Sequence, residues 1–214
     1  MLKSIINIFK KKMKEETKKT SPILIYTEQT PNPDSLKFVT SRMLFDGIAD
    51  FSNQELAKEW SPLATDLYNF TYVNGVMINR NFVTIDKDPN ASWRDIMYEI
   101  KDFIKTYLTE DKTIIKDGYK EMLEEEWQRK KESGEIDDIQ ERIIEIIDKQ
   151  IRPWIEQDGG GIEFVSYDEG ILVVRLYGAC STCSSATVTL KAGVEQILKN
   201  MIPDIKEVVQ DFGY

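Results

Sequence analysis

The 214-residue chain has two cysteines and no histidine. Both cysteines fall in one run, Gly178-Ala179-Cys180-Ser181-Thr182-Cys183-Ser184-Ser185, so all the thiol and soft-ligand chemistry is concentrated at one point. A CxxC spacing lets two thiolates point at one metal centre, and it also serves dithiol–disulfide exchange. The missing imidazole removes Ser-His and Cys-His pairs, HExxH zinc sites and histidine proton shuttles. The residues alone leave three readings open: half of a metal or cluster site, a redox pair, or two buried thiols. A thioredoxin-like redox motif belongs on the first turn of a βαβ unit, whereas this run follows a hairpin pattern.

Ligand arithmetic sharpens the metal reading. A [4Fe–4S] or [2Fe–2S] cluster held by protein thiolates takes four of them, and a structural zinc site also takes four ligands. One chain supplies two cysteines and no histidine. A cluster would therefore be shared by two copies of the chain, two sulfurs from each. Gly178 lets the backbone come close to whatever the sulfurs hold. A helix starting near Ser184 would aim its unpaired N–H groups and positive dipole end at them, lowering the thiol pKa below its ordinary value of about 8.5.

The elements that must position this run read as two small α+β units. In the first, Ile23–Thr27 and Leu36–Val39 are strands separated by a prolyl turn over Thr30–Asp34. Ser61-Pro62 opens a helix carrying Leu63, Leu67 and Phe70. Val73–Ile78 and Phe82–Ile85 form a strand pair, and Ser92-Trp93 opens a helix with Ile96, Ile100, Phe103, Ile104 and Tyr107 on one face. The second unit has the order α-β-β-α-β. Its first helix carries Ile136, Ile139, Ile143, Ile147 and Ile151 at steps of three and four. A turn over Asp158-Gly159-Gly160-Gly161 leads into a hairpin closed by Asp168-Glu169-Gly170. The cysteine run, a helix with Val188, Leu190, Val194 and Ile197, and a strand over Ile205–Val209 follow. The expected organisation is a mobile basic tail at 1–21, one domain at 22–108, a charged, partly helical linker at 109–136, and a second domain at 137–214. Tyr119, Met122, Leu123 and Trp127 give the linker an apolar edge able to dock on either domain.

A formal net charge of −9 argues against bulk nucleic-acid binding, which needs a basic surface. The apolar runs are too short to span a bilayer, so stable membrane insertion is not expected. Two cysteines in a chain of this length do not make a secreted disulfide framework. Met1–Thr20 carries seven Lys and two Glu, with its apolar residues ahead of the Lys run and no Arg. That pattern fits a solvated tail better than a secretory or mitochondrial leader.

Residues from about Asp137 to Gln210 resemble the C-terminal domain of the Nfu-type (NifU-like) iron–sulfur carriers. The resemblance rests on the isoleucine-rich helix with Arg152-Pro153, on Asp158-Gly159-Gly160, on Gly178-Ala179-Cys180-Ser181-Thr182-Cys183, and on Thr187-Val188-Thr189-Leu190-Lys191. The family usually has proline directly after the second cysteine, where this chain has Ser184. The change bears on the loop and removes no ligand. Residues from about Ile23 to Leu108 look like the N-terminal domain of the longer family members, through Thr30-Pro31-Asn32-Pro33, Leu36-Lys37-Phe38, Ser61-Pro62-Leu63-Ala64, Phe82-Val83-Thr84 and Trp93.

The resemblance implies a carrier that is not an enzyme, with Cys180 and Cys183 as ligands of a cluster, [4Fe–4S] in preference to [2Fe–2S]. Its implied partners are a second copy of itself, an upstream assembly scaffold and apo iron–sulfur client proteins. A CxxC thiol–disulfide oxidoreductase is the alternative. Bacterial cytoplasm is the expected location, with the mitochondrial matrix second.

Overall fold

The computed structural model describes residues 22–134, 136–181 and 184–211, and over 184–191 the helical backbone alone. The basic tail at 1–21 and Cys183 lie outside the described residues. The architecture is α+β, with two separate sheets.

The first sheet has five antiparallel strands, β1 (Ile25–Gln29), β2 (Ser35–Thr40), β3 (Phe45–Phe51), β4 (Val73–Arg80) and β5 (Phe82–Lys87), in the order β1-β2-β5-β4-β3. One face is covered by α1 (Gln54–Trp60), α2 (Pro62–Leu67) and α3 (Trp93–Thr109). Phe38, Phe51, Leu63, Leu67, Ile78, Ile85, Ile100 and Ile104 form the core between the two layers. Ser61 caps α2 as its sequence suggests, its hydroxyl accepting the Ala64 N–H at 3.1 Å, with Pro62 at the first helical position.

Strand β3 and helix α1 have no counterpart in the sequence reading. The reason is a β-bulge between Phe45 and Ile48, where Gly47 sits at φ +141. The extra residue breaks the two-residue period that marks a strand, so Phe45-Asp46-Gly47-Ile48 reads as a loop.

The linker region contains α4 (Tyr119–Glu132). It is anchored on the first unit by Tyr119, which is buried against Phe45, Phe51 and Trp60. Glu124, Glu125 and Glu126 remain exposed.

In the second unit, α5 (Asp138–Ile146) runs into a π-helical turn at Ile147–Ile151 and then α6 (Arg152–Gln157). Ile143, Ile147 and Ile151 are fully buried, whereas Ile139, part of the same periodic pattern, is 42% exposed. The helix starts only at Asp138, and within its first turn Ile139 faces solvent while Gln140 reaches the Tyr167 carbonyl of the sheet. Asp137 closes a capping box: its carboxylate accepts the Gln140 N–H at 2.8 Å and the Gln140 side chain accepts the Asp137 N–H at 3.1 Å. Asp137→Ala is expected to cost about 1 kcal/mol in urea unfolding, with Asp137→Ser retaining most of the stability.

Strands β6 (Gly160–Asp168), β7 (Ile171–Gly178) and β8 (Glu207–Asp211) form the second sheet, antiparallel between β6 and β7 and parallel between β7 and β8. The crossover between β7 and β8 carries the cysteine run and α7 (Ser184–Met201). Glu169 at φ +47 and Gly170 at φ +91 make the tight β6–β7 turn.

The face of the first sheet away from its helices packs on the second unit. Val39, Met77 and Phe82 form a small buried cluster there, with Ile48 and Tyr177 against it. This places the start of β6 and the end of β7, the two ends nearest the cysteine run, against the first sheet.

Candidate functional site

The cysteine loop begins where β7 ends. Gly178 turns left-handed at φ +56, and the Cys180 N–H donates to the Tyr177 carbonyl while the Ser181 N–H donates to that of Gly178 at 3.0 Å. The Ser181 hydroxyl donates to the same Gly178 carbonyl at 2.8 Å. These bonds close a tight turn that directs Cys180 inward, where it is 3% exposed and packed with the core of the second unit. Helix α7 begins at Ser184, directly after the cysteine run, as its sequence pattern suggests. Cys183, the second expected ligand, lies outside the described residues. Among the described residues, no group of three or more metal-ligating side chains forms.

The glycine run Asp158-Gly159-Gly160-Gly161 faces this loop. Read from the sequence, it is a turn after a helix, and only Gly159 meets that description, with φ +77. Gly160 and Gly161 are strand residues of β6, paired with Gly178 and Tyr177. A Cβ on Gly160 would lie 2.3 Å from the Cys180 Sγ and 2.9 Å from its Cβ. A Cβ on Gly161 would lie 2.9 Å from the Ile48 side chain. Gly160 is thus the seat of the Cys180 sulfur, and Gly161 admits the first sheet. A single positive-φ glycine makes a turn, so the sequence signal for a second role was the two surplus glycines, whose positions ask for close approach instead.

The first unit also reaches the loop with polar groups. The Thr84 hydroxyl donates to the Gly159 carbonyl at 2.7 Å, and the Ala179 N–H donates to the same carbonyl at 3.3 Å. Lys37 Nζ donates to the carbonyls of Glu156 and Gln157 at 3.0 and 3.2 Å, satisfying the last turn of α6 and opposing its dipole. The methyl of Thr30, in the prolyl turn, lies 3.0 Å from where a Gly159 Cβ would stand. The prolyl turn therefore abuts the glycine turn.

Beside the loop, a cleft of about 1120 Å³ runs between the two units and is lined by Asp50, Asp86, Arg175, Tyr177, Ser181 and Gln210 among others. The pKa of Asp50 is pushed up to about 7, chiefly by burial and then by the neighbouring Asp86 carboxylate, while the Gly178 N–H and Arg175 pull the other way. Burial also raises the Asp86 carboxyl. The Tyr177 hydroxyl, which donates to Glu163, is held well above the usual phenol range, by burial first and by that carboxylate second. The sequence reading missed Thr84, Lys37 and Asp50 because all three sit in strands of the other unit, far from Cys180 in the chain.

The chain is a mixed α+β protein in which Cys180 sits against Gly160 and an N-terminal antiparallel sheet packs on the unit that holds it. Residues 25–111 match the family model described as the scaffold protein Nfu/NifU N terminal, and residues 143–209 match the NifU-like domain. The chain belongs to the Nfu/NifU-like family. It is 36% identical over 196 residues to the Drosophila erecta protein named NFU1 iron-sulfur cluster scaffold homolog, mitochondrial, covering 89% of this chain and 65% of that one. It is 33% identical over 196 residues to NifU-like protein 4, mitochondrial, of Arabidopsis thaliana, covering 89% of this chain and 66% of that one. The chain thus spans about 65% of the length of such relatives. A solution structure of a NifU-like protein from Saccharomyces cerevisiae aligns with 44% of this chain and 86% of its own, with a TM-score of 0.38 and 27% identity. The expectation of bacterial cytoplasm is corrected by the relatives' names, which point to mitochondria. The acidic pair Glu15-Glu16 and the lack of Arg had weighed against a leader, but composition of one short segment is a weak guide to compartment.

Proposed function

We propose that this chain carries an iron–sulfur cluster on Cys180 and Cys183 of two copies, [4Fe–4S] in preference to [2Fe–2S], and hands it to apo-proteins. Under this reading it receives the cluster from an upstream assembly scaffold, and no residue is catalytic. The relatives named as iron-sulfur cluster scaffolds support the general activity. The observation that carries it to these residues is the seat at Gly160, where a strand gives up its side chain to leave room for the Cys180 sulfur. A glycine inside a strand marks a close approach, and here it fixes Cys180 at the end of β7, beside the start of the helix that follows the cysteine run. The family matches at 25–111 and 143–209 support the proposed division into domains at 22–108 and 137–214, joined through 109–136.

The test is anaerobic reconstitution of the full chain with iron and sulfide. The expected product is brown and has the native mass of two chains, with about four irons per pair. Its Mössbauer spectrum should be that of a [4Fe–4S] centre. Cys180→Ser and Cys183→Ser should each stay colourless. A colourless wild type that turns over disulfides as a monomer would instead establish the oxidoreductase alternative.

A further inference from the structure

Cys180 is 3% exposed, yet a cluster shared between two chains requires its sulfur to face a partner. Resting on the reading of Cys180 as a ligand, the covered arrangement must open before loading, and the structure shows what holds it closed. The Gly159 carbonyl is the joint where three parts meet. It accepts the Thr84 hydroxyl from the first sheet at 2.7 Å and the Ala179 N–H from the cysteine loop at 3.3 Å, and it precedes Gly160, the seat of the sulfur. Thr84 is 1% exposed on β5, and its cross-strand neighbour on β2 is Lys37. Lys37 holds the carbonyls of Glu156 and Gln157. Two adjacent strands of one unit thus grip Glu156, Gln157 and Gly159 of the other, immediately upstream of the seat. The rest of the contact mixes Val39, Met77 and Phe82 with the polar pairs of Asn79 and Arg80 to Glu156, a composition typical of interfaces that come apart.

We propose that Thr84 and Lys37 are positioning residues for Cys180: by gripping residues 156–159 they hold the sulfur in its covered seat, so that docking of the first unit opposes exposure of the ligand. The core of the second unit covers the sulfur, and the first unit acts on it through residues 156–159. Anything that loads Cys180 favours undocking, and undocking favours loading by the same factor.

The test reads the sulfur directly, without iron. In a Cys183→Ser background the chain has one thiol, and its alkylation by iodoacetamide under reducing conditions reports how often the seat opens. Thr84→Val keeps the shape and loses the donor, and it is expected to alkylate about five- to tenfold faster. Thr84→Ser, which restores the donor, should return to within about twofold of the parent. Asn53→Ala removes the cap of α1 on the far side of the same unit and should leave the rate unchanged. Should Thr84→Val fail to fold, Lys37→Met is read the same way. Equal rates for parent and variant would overturn the proposal, as would equal acceleration by Asn53→Ala. Failure of the wild type to take up iron would count against the carrier reading and leave the alkylation result standing.

Discussion

Gly160→Ala is expected to destabilise the apo-chain by about 3 kcal/mol and to drive the Cys180 sulfur out of its covered seat. The added Cβ would meet the Cys180 Sγ at 2.3 Å, the Cys180 Cβ at 2.9 Å and the Tyr177 carbonyl at 3.1 Å. Two of those three are fixed by backbone, so the strain cannot be relieved by swinging a flexible side chain. The hairpin must separate at Gly160–Gly178 or the sulfur must leave its seat, and either uncovers Cys180. Gly193→Ala is the matched control. Its Cβ would meet only Trp154, at 3.9 Å, inside helix α7, where alanine outranks glycine by about 1 kcal/mol. Alkylation of Cys180 in a Cys183→Ser background and urea unfolding of the apo-protein check both. A rate equal to the parent's in Gly160→Ala would show that the sulfur keeps its seat despite the added methyl.

The contrast between the two glycines shows where sequence reading succeeds. The isoleucine period of α5, the Ser61-Pro62 start of α2 and the tight turn at Glu169-Gly170 are local, each set by residues a few positions apart, and the fold realises them. Strand β3 was illegible because Gly47 interrupts the alternation at a bulge, and the π-helical turn at Ile147–Ile151 has no pattern of its own within the isoleucine period. At the site, the place of Cys180 in the loop between β7 and α7 was legible. Its surroundings were not, because Thr84, Lys37, Ile48 and Asp50 come near the loop only through packing of one sheet on another hairpin. Alternation on β2 and β5 did mark Lys37 and Thr84 as facing away from the core, but an outward polar residue on a half-covered sheet ordinarily meets solvent. Only the arrangement of the two units turns those positions into contacts with residues 156–159.

The same interface makes stability depend on pH. Asp50 faces the Gly178 N–H, the Asp86 carboxylate and Arg175, and its pKa in the folded chain is raised from 3.8 to about 7. Tyr68 and Tyr119 stand near enough to have their own pKa values raised by its charge. Below pH 4 the carboxyl is protonated in both folded and unfolded chains and costs nothing. Between pH 4 and 7 the unfolded chain releases this proton and the folded chain keeps it, so stability falls as pH rises; above 7 the loss is complete and constant. Asp50 keeps some contact with the cleft, and the loss is on the order of 2–4 kcal/mol. Asp50→Asn keeps the shape and polarity of the side chain without a charge to bury. The variant should match the wild type near pH 4 and exceed its stability by that amount at pH 8. Subtracting the two urea-unfolding profiles gives the effect of the Asp50 charge together with its repulsion with Asp86, whose carboxyl is raised in the same direction. A variant less stable than the wild type at pH 8 would mean that the carboxylate acts there as an anion paired with Arg175, and the sign of the effect would reverse.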